Sequence, residues 1–132
     1  MSKARALIAF AATLVIMQLA PLPVYGAFSA AGLVELPSEG SPAQFFTSIL
    51  VIHAGVALGF VLLYRPATPA LAGRWWPYAA TWWAMYAVVE VGQAIGPGYS
   101  AAEAIAGIIS EALYFPVSGV VVARLIGAPS RR

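Results

Sequence analysis

Four stretches of this chain, residues 6–22, 43–64, 77–95 and 101–126, are almost wholly apolar. A helix needs about 20 such residues to cross a hydrocarbon core roughly 30 Å thick. In water, runs of this length would have to be hidden behind a polar surface. Soluble domains carry roughly a quarter of their residues as charged groups. Here 132 residues are 61% hydrophobic and 9% charged, with a mean hydropathy of +0.84, so such a surface cannot be built. In a bilayer a helix satisfies its own backbone hydrogen bonds and needs no polar coat. The sequence therefore predicts an all-α membrane protein, a single transmembrane domain of four spans in an up-down bundle. Residues 24–40 are too apolar for an ordinary loop and are expected to form an outer loop that lies along the interface or folds over the bundle.

The ends of the stretches carry helix signals. Pro21 and Pro23 are expected to stop the first. Ser41 and Pro42 read as an N-cap and first helical residue for the second, and Arg65-Pro66 as its close. Gly96-Pro97-Gly98 stops the third. Ser100 and Glu103 have the spacing of a capping box for the fourth, which Gly127 and Pro129 end.

Charge then fixes an expected orientation. Lys3 and Arg5 precede the first stretch, Arg65 and Arg74 lie in the second connection, and Arg124, Arg131 and Arg132 finish the fourth. The first and third connections contain no Lys or Arg, and the first carries Glu35 and Glu39. With four spans, every basic residue falls on one side. The positive-inside rule makes that side cytoplasmic, which predicts cytoplasmic N and C termini in a multi-pass protein of the plasma (inner) membrane. The net charge of +2 then needs no nucleic-acid partner to account for it. Tyr64, Trp75 and Trp76 suit an inner aromatic belt, and Tyr25, Phe28 and Tyr99 an outer one. A competing reading takes residues 1–26 as a secretory signal, with Val24-Tyr25-Gly26 as a poor cleavage site.

Composition also bounds the chemistry. With no cysteine, disulfides, thiolate metal sites and thiol nucleophiles are excluded. One histidine excludes a bis-histidine haem within one subunit, and no cofactor or metal is expected.

The lead on function is polar. A charged side chain at the centre of a transmembrane helix costs about 2.5–3.5 kcal/mol and usually faces the bundle interior. Glu90, Glu111 and His53 fall inside spans, with Gln18 and Gln93 in support. At about 1.5 Å rise per residue, Glu111 and His53 lie near the midplane, with Tyr86 at their level, and Glu90 nearer the outer surface. Helical spacing puts Trp83, Tyr86, Glu90 and Gln93 on one stripe of the third span. Glu103, Gly107, Glu111, Tyr114 and Ser118 form another on the fourth. A tight turn makes these spans antiparallel neighbours, and Gly107 is level with Glu90, leaving room for its side chain. Gly55 and Gly59 offer the second span a small-residue packing face. Pro116 is expected to bend the fourth span below Glu111.

Most of these groups lie in the outer half, which suggests a cavity open to the outside that ends near the midplane. Carboxyls in low dielectric can exchange protons near neutral pH. Three functional readings follow. One is a proton-coupled small-solute transporter or channel subunit, in which Glu90, Glu111, His53, Tyr86, Gln18 and Gln93 are the proton-carrying or polar cavity residues. Another is an accessory or assembly subunit of a larger membrane complex, where the acids bond across an interface. The third is an isomerase- or cyclase-type enzyme on a lipid-soluble substrate, with a buried Glu as acid and Trp82, Trp83 and Tyr86 around a cation. No motif specifies a reaction. The expected partners are the lipid bilayer and either further copies of this chain or other subunits. For single residues, plainer roles compete: Glu103 as a helix cap, His53 as packing, and both acids as hydrogen-bonding glue.

Overall fold

A computed structural model describes residues 2–35 and 41–127. Among these, five α-helices follow one another: α1 (Lys3–Leu19), α2 (Pro21–Ala30), α3 (Pro42–Ala67), α4 (Trp75–Ile95) and α5 (Ala101–Ile126). There is no strand among the described residues.

The first expectation to fail is the stop at Pro21 and Pro23. Ala20 keeps helical backbone angles and is both the last cap of α1 and the first of α2. A proline at the first helical position removes no hydrogen bond that a new helix would make, and its fixed φ suits the helix. The helix therefore resumes at once and runs on to Ala30, so residues 24–30 are helix instead of loop, and α2 packs on α5. A Schellman motif ends it. The Gly32 and Leu33 amides donate to the Ser29 and Phe28 carbonyls, with Gly32 at φ +68. The remainder of the expected loop, residues 36–40, lies outside the described residues.

The other boundaries follow the local chemistry. Ser41 caps α3, and Gln44 returns a bond to the Ser41 amide, completing a capping box. The helix continues past Arg65 through Pro66 to Ala67, slightly beyond the expected close. Ser100 and Glu103 form their capping box at the start of α5. Between α4 and α5 the chain turns through Gly98, whose φ of +83 favours glycine. α5 stays helical through Pro116.

α5 is the hub, packing along α4, α1 and α2, while α3 rests mainly on α1. The buried face of α5 is rich in small residues, among them Ala104, Ala106, Gly107, Ser110 and Gly119, which let helices approach closely. Beneath lies an aromatic core. Phe60, Tyr64, Tyr78 and Phe115 are buried, with Trp82 and Tyr86 packed against them. The Tyr78 hydroxyl donates to the Phe60 carbonyl at 2.6 Å, tying α4 to α3. Gly59 abuts the Trp82 ring, whereas Gly55 faces open space. Only half of the expected small-residue face is used.

Three helical stretches are long and apolar enough to cross a membrane: Lys3–Ala30, Pro42–Ala67 and Ala101–Ile126. α4 is long enough at 21 residues, but all four tryptophans, Tyr78, Tyr86, Glu90 and Gln93 lower its hydropathy. Large apolar side chains also cover the outside, with Ile95 84% and Val88 72% exposed. A monomeric soluble protein rarely shows apolar surface on this scale.

Candidate functional site

Glu90 and Glu111 come from neighbouring helices. On α4, Glu90 is half-buried and its carboxylate sits in a notch made by Gly107 of α5. A methyl group built on Gly107 would lie 2.5 Å from the Glu90 carboxyl carbon and 2.7 Å from both its oxygens. The absence of a side chain at position 107 is therefore what admits the acid. The Tyr99 hydroxyl donates to Glu90 Oε2 at 2.5 Å. Burial, then the bond to Glu90, holds the Tyr99 hydroxyl well above the usual phenol range, so it remains a donor. The Tyr25 phenol of α2 lies beside that of Tyr99.

Glu111, on α5, is only 3% exposed. Its Oε2 is buried with no hydrogen-bond partner, which is costly for a carboxyl group unless it is protonated or meets another ligand. Glu111 lies near Glu90, and the neutral phenols of Tyr86 and Tyr114 lie near Glu111. Two acids and a ring of phenols thus share one region between α2, α4 and α5.

The remaining expected residues divide. His53 is half-buried on α3, its ring edge-on to Tyr114 with centroids 6.0 Å apart. Its Nδ1 has no partner, and no hydrogen bond joins it to Glu111. Gln18, half-buried on α1, has an unpartnered Nε2. Tyr86 stacks on Trp82 and packs on Phe115. Gln93, one turn beyond Glu90, is exposed and takes no part. Glu103 is the helix cap of the plainer reading, its Oε2 accepting from the Ser100 amide at 2.6 Å.

Tyr99 bonds to Glu90, and Tyr25 lies alongside. Two surface grooves lie elsewhere. One runs along the N-terminal part of α3 past Gln44, Thr47, Ser48 and Val51; the other lies between α4 and α5 at Trp76, Ala80, Trp83 and Pro116. Neither is lined by Glu90, Glu111 or His53. Trp82 is engaged with Phe60, Tyr78 and Phe115, and the Trp83 indole donates to the Ile108 carbonyl. Trp82 is thus part of the core, whereas Trp83 also borders the second groove. Among the described residues no group of three His, Cys, Asp or Glu could hold a metal ion.

Sequence reasoning placed Tyr25 and Tyr99 in an interfacial belt and missed their place beside Glu90. A signal for Tyr25 existed: it is seven residues beyond Gln18, hence on the same helical face. The supposed stop at Pro21 concealed it. No family model, curated protein or solved structure matches this chain.

Proposed function

We propose that this chain is a four-span protein of the plasma (inner) membrane with both termini cytoplasmic, and that its buried acids carry protons. In this reading α1 and α2 together form the first span, and α3, α4 and α5 the others. It acts as a proton-coupled small-solute transporter or channel subunit, assembled from several copies because one four-span bundle has little room for a solute path.

One observation carries the reading: Glu111 is almost fully buried on an apolar helix, with a carboxylate oxygen bonded to nothing, next to a second acid. A carboxyl placed only as structural glue would be expected to spend both oxygens on donors. Proton transfer needs a group that can bind and release its proton, and neighbouring like charges let two acids exchange one between them. Glu111 is then the central carrier. Glu90, held by Tyr99, is the outer one.

The test is proton uptake driven by a pH gradient into proteoliposomes of the purified protein. Glu111→Gln keeps the shape and removes the titration. It is expected to reduce uptake to that of empty vesicles; wild-type uptake in this variant would refute the proposal.

A second reading, an accessory subunit of a larger complex, is favoured by α3. Its outer part from Ser41 to Ser48 is exposed throughout and includes Gln44, Thr47 and Ser48. Purification with a stoichiometric second chain would support that reading, and a monodisperse assembly of this chain alone would oppose it.

A further inference from the structure

Among the described residues, five buried side-chain polar atoms bond to no other group: Thr13 Oγ1, Gln18 Nε2, His53 Nδ1, Glu111 Oε2 and Ser118 Oγ. They do not scatter over the bundle. The Tyr25 phenol lies beside that of Tyr99, which bonds to Glu90 in the Gly107 notch, and this sets the register of α1 and α2 against α5. From that level Glu111 is about 6 Å deeper and Gln18 about 10 Å deeper at about 1.5 Å per residue. His53 joins them through its ring contact with Tyr114. Ser118 follows at about 16 Å and Thr13 at about 18 Å. The unpartnered atoms thus step downward from Glu111 toward the end of the bundle that carries Lys3, Arg5 and Arg124.

The two hydroxyls at the bottom of this series are unusual for helical residues. Serine and threonine in a helix commonly bond back to a carbonyl one turn earlier. Ser48, Thr81 and Ser110 all do so, to Phe45, Pro77 and Ala106. Thr13 and Ser118 do not, although both are fully buried, at 0% exposure. They lie on the buried faces of α1 and α5, two helices that pack on each other. A buried hydroxyl that declines its own backbone is free to serve another ligand. Polar groups of this kind, spaced about a turn apart, suit water, which binds where it finds two to four polar partners.

We infer that Thr13 and Ser118 form a water-binding site between α1 and α5 that continues the Glu111 level toward the basic end of the bundle. The inference deepens the proton-carrying reading and rests on it for its purpose, since it supplies Glu111 with a second exit, away from Glu90. Hydroxyls and water pass a proton by exchanging donor and acceptor roles along the chain. No group other than Glu111 needs to change its charge.

The site can be probed without transport. Radiolysis of bound water by X-rays oxidises the side chains next to it, even when they are closed to bulk solvent. Met17 is such a reporter: it is 0% exposed and one turn above Thr13 on the same face of α1. In the purified protein Met17 should be oxidised. The labelling should fall about threefold or more in T13V/S118A, which removes both hydroxyls and with them the water's partners. It should not change in S110A, where the lost hydroxyl was bonded to its own helix. If the double variant fails to fold, T13V and S118A are read singly in the same way. Absence of Met17 oxidation in the wild type, labelling that persists in the hydroxyl-free variants, or an equal fall in S110A would overturn the inference. Proton uptake in the same variants separates the two claims. Uptake lost in E111Q with Met17 unlabelled leaves the carrier and removes the water site; Met17 labelled with no Glu111-dependent uptake does the reverse.

Discussion

At the scale of single residues, the acids are defined by what surrounds them. Glu90 depends on a missing side chain and a donated hydrogen bond. Gly107→Ala would drive a methyl group into the carboxylate, and such overpacking should lower stability by about 1–3 kcal/mol. Chemical unfolding in mixed micelles measures this. Because the clash is with one side chain, Glu90→Ala in the same background should restore most of the loss, with a coupling of about 1 kcal/mol or more. Additive effects would mean that position 107 touches something else. Tyr99→Phe removes the donor to Glu90 and should cost about 1–3 kcal/mol in the same assay, since a half-buried carboxylate is left without its partner. The Gly107 notch was legible in the sequence from helical spacing alone, because Gly107 and Glu90 are equidistant from a tight turn. The Tyr99 bond was not. It depends on how the connection folds back over α4, which no periodicity encodes.

At the scale of elements, sequence signals worked where the backbone chemistry is local. Ser41, Ser100 and Gly96 to Gly98 marked helix ends that the structure keeps, because a cap needs only its own neighbours. Pro21 misled because proline ends a helix only when its missing amide matters, and at the first position of a resumed helix it does not. Amide hydrogen exchange in micelles checks the consequence. The amides of Gly26 to Ala30 should be protected about a hundredfold or more, as expected of a helix and not of an interfacial loop. Glycines divide in the same way. Gly55 meets nothing, so Gly55→Ala should shift stability by no more than about 0.5 kcal/mol. At Gly119 an added methyl would meet Trp75 at 3.0 Å and Ala79 at 3.1 Å, and Gly119→Ala should destabilise by about 1–3 kcal/mol. Spacing alone made Gly55 and Gly59 look alike. What separates them is that α3 rests mainly on α1 and meets α4 only locally, and that is set by the whole packing, not by one helix.

At the scale of the whole molecule, the same composition that leaves large apolar side chains on the outside gathers the acids, phenols and orphaned polar atoms within. α5 at 26 residues is about 39 Å long and α4 at 21 residues about 32 Å, each sufficient for a hydrocarbon core of roughly 30 Å. If hydrocarbon surrounds the bundle, as proposed, Glu90 and Glu111 are held away from water and Lys3, Arg5, Arg65, Arg74 and Arg124 fall on the cytoplasmic side. With no cysteine in the sequence, single cysteines report their side without interference. The decisive measurement is labelling of Arg74→Cys and Pro97→Cys by a membrane-impermeant maleimide on intact cells and on opened ones. Pro97→Cys should react in intact cells and Arg74→Cys only after the membrane is opened. Reaction of Arg74→Cys in intact cells, or recovery of the chain in solution without detergent, would contradict the account.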